Sequence, residues 1–178
     1  LIDIVKQGKA LYVGISKYPP AQAKIAYEML RAAGVPCLIS QYRYSMFDRT
    51  VEEKSLPLAA EQGSGFIAFS PLAQGLLTKK YLHGIPEHSR AARSTGFLKV
   101  DQVTEDKVGK ARRLDEIAAR RGQTLAEMAL AWVLKDERMT SVIVGTSSVK
   151  QLADNLHALD NLNFTNEELA EIEGILRL

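Results

Sequence analysis

Four places in the sequence set polar or aromatic side chains at the end of an apolar run. They are Ser16-Lys17-Tyr18, Gln41-Tyr42-Arg43-Tyr44, Phe69-Ser70-Pro71-Leu72 and Gly145-Thr146-Ser147-Ser148. Together they offer hydroxyls, one side-chain amide and an aromatic ring. Such a set suits a ligand with an amide head, a flat ring and phosphates. Gln41 can donate to and accept from a carboxamide. Phe69 can stack on a ring. Backbone N–H groups over 70–76 can face a pyrophosphate, with Lys80 and Arg90 offsetting its charge. A helix starting near Ser148 can present its N-terminus to a further phosphate.

Each of these also has a plain structural reading. Ser147 or Ser148 is an N-cap, and Gln151 closes a capping box. Phe69 alternates with Ile67 and reads equally as core. Lys79 and Lys80 read as a solvated pair, and Arg90 as a solvated loop residue. His83, His88 and His157 have no spacing that points to a metal, so no metal ligand is assigned.

Positioning such a set requires strands that end together. Four β-rich runs do so: 10–16, 36–42, 65–71 and 140–146. Each is apolar on both faces over its middle, which suits parallel strands covered on both sides. Helical patterns lie between them. Residues 20–33 carry Ala21, Ile25, Met29, Leu30 and Ala33, with Gly34 at the C′ position. Residues 51–62 form a weaker pattern in which Pro57 must start or kink the helix. Val108, Ala111, Leu114 and Ala118 share a face over 105–121. Leu125, Met128, Ala129 and Trp132 share one over 125–134, capped by Thr124 and Glu127. Ser148 with Gln151, and Thr165 with Glu168, repeat that signature before two last helices. The single Trp and the four Met are expected in or near the core.

The order is strand–helix four times, so the sheet is predicted parallel with right-handed crossovers. No domain boundary is evident, and residues 1–178 read as one domain. The stretch 83–104, polar and glycine-containing, is the expected mobile segment. Four βα units make either a small doubly wound sheet or half of a TIM (β/α)8 barrel, which takes about 250 residues in full. Length alone does not choose between them.

Composition narrows the class. The chain has 178 residues and a net charge of +2, which gives no support to nucleic-acid binding. Cys37 is the single cysteine, so no disulfide framework exists and a reducing, cytoplasmic compartment is expected. No apolar run approaches the roughly 20 residues of a membrane span, and no signal-peptide pattern opens the sequence. It begins at Leu1, in LIDIVKQGK, which reads as the last turns of a helix whose beginning lies elsewhere.

The segments GKALYVGISKY, QYRYSMFDR, FSPLAQGLLTKKYLHGIPEHSR, GQTLAEMALAWVLKD and SVIVGTSSVKQLADNLHAL occur in that order. In them the chain resembles the aldo-keto reductase superfamily, in the branch of bacterial glyceraldehyde-3-phosphate reductases and voltage-gated potassium channel β subunits. The third segment is the most specific. The resemblance spans essentially the whole chain and implies a parallel (β/α)4 half of a (β/α)8 barrel, strands five to eight, with extra C-terminal helices. It implies NADP(H) bound in extended form. On that resemblance Ser16 and Gln41 hold the nicotinamide carboxamide, and Phe69 stacks on the ring. Ser70, Leu72, Gly75 and Lys80 surround the pyrophosphate, and Arg90 comes from a loop folding over the coenzyme. Gly145 and Ser147 meet the 2′-phosphate region, and Gln151, Asp154 and Asn155 the adenine end. Two departures stand out. Lys17 replaces the Asn or Ser common after strand five, and the strand-eight loop lacks the Lys that some branches place before its Ser.

The resemblance also implies an absence. The family reduces a carbonyl by hydride transfer, with a tyrosine acid tuned by a lysine and an aspartate, and a histidine orienting the substrate. Those residues belong to strands two to four, so none falls in this chain. Losing a general acid forfeits roughly 10²–10⁴ in rate. This chain alone is therefore expected to be inactive or very weak, with weakened affinity for NADP(H). A half-barrel also leaves two strand edges and an apolar inner layer uncovered. A second half-barrel is the expected partner, either a second copy or the chain's own N-terminal half, beside NADPH and a small carbonyl substrate. The competing expectations are a nucleotide-binding or self-assembling scaffold, and a redox-sensing subunit like the channel β subunits.

Overall fold

The computed structural model describes residues 1–87, 89, 91–92 and 98–177. Its elements follow in chain order: α1 (Ile2–Lys6), β1 (Val13–Ser16), α2 (Pro20–Ala32), β2 (Cys37–Arg43), α3 (Ser55–Glu61), β3 (Gly65–Phe69), α4 (Glu105–Arg120), α5 (Leu125–Leu134), β4 (Met139–Ile143), α6 (Val149–Leu156) and α7 (Asn166–Arg177). The four strands form one parallel sheet in the order β1-β2-β3-β4. A doubly wound sheet would reverse its strand order at a switch point. This one never does, as in a barrel wall. The architecture is that of half a (β/α)8 barrel.

The helix boundaries follow local chemistry. α2 begins at Pro20, whose missing N–H is harmless in a first turn. It ends in a Schellman turn: Val35 N–H donates to Leu30 O (3.0 Å) and Gly34 N–H to Arg31 O (3.0 Å), with Gly34 at φ +70°. Pro57 falls in the first turn of α3. Thr124 caps α5 and Glu127 returns to the Thr124 N–H at 2.7 Å, a full capping box. Thr165 and Glu168 do the same before α7. Each such cap contributes about 1 kcal/mol.

The core lies on one side of the sheet. Val13, Ile15, Cys37, Tyr42, Phe66, Ala68 and Met139 point to the helices and are buried there. The face of α4 is as expected, whereas α5 is buried all round, including Leu130, Ala131 and Val133. Two expectations are corrected. In α2 the buried residues are Ala23, Tyr27 and Leu30, while Ile25 and Met29 are exposed. The Tyr27 hydroxyl and Ser40 Oγ share a hydrogen bond of 2.6 Å, which lets this polar ring turn inward. Met29 is accordingly the methionine that leaves the core, whereas Met46, Met128 and Met139 are buried.

The second correction concerns the other sheet face. Gly14, Ser16, Ile39, Gln41, Arg43, Ile67, Phe69, Ser141 and Ile143 alternate with the core residues, yet none is fully buried. Ile143 is 44% exposed. This face carries apolar residues at Ile39, Ile67, Phe69 and Ile143 beside polar ones, but the described helices cover the other face. Two bulges set this register. β2 bulges at Leu38, because Val13 pairs with Cys37 but Gly14 with Ile39. β4 bulges at Thr140, whose hydroxyl accepts the Phe66 N–H at 3.0 Å.

Candidate functional site

The carboxyl ends of the strands bring the rim residues together. Ser16 is in register with Gln41, Gln41 with Ile67, and Arg43 with Phe69. Lys17 turns the chain off β1 at φ 59°, its N–H donating to Gln41 O (3.0 Å). Ser70, Ala73 and Gln74 after β3 also adopt positive φ. Left-handed backbone at non-glycine residues costs of order 1–3 kcal/mol and gathers where a fold holds a functional loop in shape.

The loop after β3 holds itself closed. Ala73 N–H donates to Ser70 O, Gly75 N–H to Leu72 O, Leu76 N–H to Ala73 O and Leu77 N–H to Leu72 O. Three of these four donors, Ala73, Gly75 and Leu76, fall within 70–76 and serve the loop, so the expectation that N–H groups there face a pyrophosphate is narrowed to what remains. Gln74 Nε2 donates to Ser70 Oγ (2.8 Å), and Thr78 Oγ1 donates to Gly75 O (2.7 Å). Leu72 packs on the core. The two lysines part: Lys79 Nζ lies 3.4 Å from Asp115, while Lys80 lines a cleft.

That cleft, of about 530 Å³, runs between the loops after β3 and β4. Ser70, Leu72, Gly75 and Lys80 line one wall, and Gly145, Ser147 and Gln151 the other. Thr146, named with the rim, lines it too; Gln74 and Thr78 also line it, and sequence reasoning missed these two, although they follow Ser70 at four-residue steps. Ser148 caps α6, accepting the Gln151 N–H at 3.1 Å. The expected box closes one residue early, since Gln151 Oε1 accepts from Ser147 N–H (2.9 Å) and Ser147 Oγ–H (3.1 Å). Asp154 is held by Lys150 Nζ at 2.9 Å. Asn155, one helical turn beyond Gln151, is 8% exposed, and its Nδ2 has no partner among the described residues. Arg90 lies outside the described residues.

Two of the rim tyrosines, Tyr42 and Tyr44, are tied into the structure. Tyr42 stacks on Phe66 at 5.1 Å and donates to Tyr18 O at 2.8 Å; burial pushes its phenol up to about 12. Tyr44 donates to Glu52 Oε1 at 2.8 Å, and burial, then the hydrogen bond to Glu52, raise it further. Glu52 in turn pairs with Arg49, which also bonds Glu173 and lies over the Trp132 ring. Both phenols are engaged in structure. No group of three metal-binding side chains occurs among the described residues, and no helix among them is long and apolar enough to cross a membrane.

The fold and cleft define a class: a half-barrel with a polar, partly cationic groove along its carboxyl rim. The aldo/keto reductase family model matches residues 1–177, and the chain belongs to that family. It is 48% identical to an L-glyceraldehyde 3-phosphate reductase of Escherichia coli O157:H7 and 46% identical to one of Escherichia coli strain K12. Each match covers 97% of this chain and 51% of the relative, so the chain spans about half the length of these relatives.

Proposed function

We propose that this chain, acting as one domain over residues 1–178, is the NADP(H)-holding half of an aldo-keto reductase that reduces aldehydes or ketones. The observation that carries this reading is the cleft between Lys80 and Gln151 at the carboxyl ends of β3 and β4, on the rim where Ser16 stands in register with Gln41 and Arg43 with Phe69. Its chemistry fits an extended dinucleotide. Ser16 and Gln41 take the carboxamide and Phe69 the nicotinamide ring. Ser70, Leu72, Gly75 and Lys80 take the pyrophosphate, with Gly145 and Ser147 near the 2′-phosphate. Gln151, Asp154 and Asn155 meet the adenine end, Gln151 from the cleft wall itself.

Held by these residues, NADPH would supply the hydride for carbonyl reduction. The chain's own residues bind, orient and exclude water, and the Tyr42 and Tyr44 hydroxyls are committed to Tyr18 O and Glu52. The acid and its tuning groups then come from a second half-barrel. The uncovered inner face and the two sheet edges, β1 and β4, favour such a partner. The relatives' names point to a phosphorylated aldehyde as one substrate.

The test follows NADPH absorbance with an aldehyde present. Oxidation absent for this span and restored on adding chain that closes the barrel supports the reading. Full turnover by this span alone sinks it.

A further inference from the structure

The inner face of the sheet carries one charged side chain. Among its strand residues, Gly14, Ser16, Ile39, Gln41, Gly65, Ile67, Phe69, Ser141 and Ile143 are neutral, and Arg43 is the exception. Arg43 ends β2 two residues beyond Gln41, so both point to the same side. Its guanidinium carbon lies 5.9 Å from the centre of the Phe69 ring, which confirms the shared face.

The partnering of Arg43 differs from that of its neighbours. Arg49 and Arg121 each make several hydrogen bonds to carboxylates or carbonyls. Arg43 makes none among the described residues. Its one ion pair is Nε to Asp48 at 4.0 Å, the outer limit of such a contact, with the Arg43 side chain 58% exposed. Its planar guanidinium, with five N–H donors, thus has no hydrogen-bond partner among the described residues beside the Phe69 ring. Once the barrel closes, water withdraws from that face and an uncompensated guanidinium becomes costly. An anion placed there restores the balance, and a guanidinium grips phosphate or carboxylate in a bidentate manner.

We infer that Arg43 is the subsite for an anionic group on the carbonyl substrate, a phosphate or carboxylate a few bonds from the reacting carbon. The inference rests on the reductase reading above. It adds to that reading the residue that would discriminate: Arg43 favours acidic aldehydes over neutral ones. The position fits, since Arg43 stands beside Phe69 and Gln41 at the nicotinamide end of the groove, away from the cleft wall formed by Lys80. No bond is made or broken at Arg43; it selects and orients.

The experiment uses the complete protein with wild-type Arg43, Arg43→Met and Arg43→Lys. The readout is the ratio of kcat/KM for glyceraldehyde 3-phosphate to that for glyceraldehyde. A charge-assisted contact of ordinary strength predicts that Arg43→Met lowers this ratio about ten- to a hundredfold, with partial recovery in Arg43→Lys. An unchanged ratio overturns the inference. So does a rise in the KM for NADPH without a change of ratio, which would assign Arg43 to the coenzyme or to a carboxylate of the other half-barrel. A second arm needs no turnover. Inorganic phosphate is expected to raise the Tm of wild type more than that of Arg43→Met, and equal shifts overturn the subsite. If wild type reduces neither aldehyde, the reductase reading fails, while the phosphate arm still decides Arg43.

Discussion

Gly14 and Ile39 approach so closely that a β-carbon on Gly14 would lie 2.5 Å from the Ile39 carbonyl oxygen. The neighbour is backbone of the adjacent strand, held by the bulge at Leu38, so it cannot swing aside. Gly14→Ala must therefore move β1 or β2. A loss of about 1–3 kcal/mol is expected, read as a lower urea midpoint at unchanged m-value. Wild-type stability in Gly14→Ala would show that the two strands are not packed this tightly.

Adjacent lysines have separate tasks. Lys79 is paired with Asp115 and Lys80 faces the cleft. Lys80→Ala is expected to weaken NADPH binding roughly tenfold, the worth of one charge-assisted contact. Lys79→Ala is expected to change it less than twofold. Equilibrium titration of NADPH fluorescence at fixed salt compares the two, and equal effects would count against the assigned cleft wall.

Asn155 tests the trade between stability and binding. Its buried, unpartnered Nδ2 costs on the order of 1–3 kcal/mol in the free protein. Asn155→Leu removes that donor and is expected to hold or raise Tm, while NADPH affinity falls. A sharp loss of stability in Asn155→Leu would mean that the side chain serves the fold instead.

Tyr27, Tyr42 and Tyr44 are all shifted upward, chiefly by burial. A phenol whose folded pKa exceeds its unfolded value near 10 keeps its proton more firmly in the native state. Its contribution is fully present below pH 10 and is lost as pH rises through the folded value, which for Tyr42 is about 12. At the acid end the reverse holds for Asp136, held low by its hydrogen bond to Arg138, and Glu173, held low by Arg49. Their contribution is present above about pH 4 and falls away below it. Unfolding free energy is thus expected to decline above pH 10 and below pH 4. A rise across either limit would contradict these assignments.

Much of this was legible in the residues because local chemistry decides it. Runs such as VGIS and GFIAF become strands, and Thr124, Thr165 and Gly34 mark helix ends through their own backbone bonds. What local chemistry does not decide was misread. The stripe Ala21-Ile25-Met29 and the stripe Ala23-Tyr27-Leu30 are both good helical faces, and only the Ser40 hydroxyl across the interface selects the second. The bulges at Leu38 and Thr140 arise from pairing between strands distant in sequence. Arg43 was read only as part of a rim end, without a role, because its meaning lies in the neutrality of the face around it, which belongs to four strands at once.

The proposed coenzyme site is tested most directly by titrating NADPH into purified protein of this span and following its fluorescence. A saturable rise, displaced by NADP⁺ and weakened by Lys80→Ala, is the predicted result. The absence of a saturable response here, and in the complete protein as well, would contradict it.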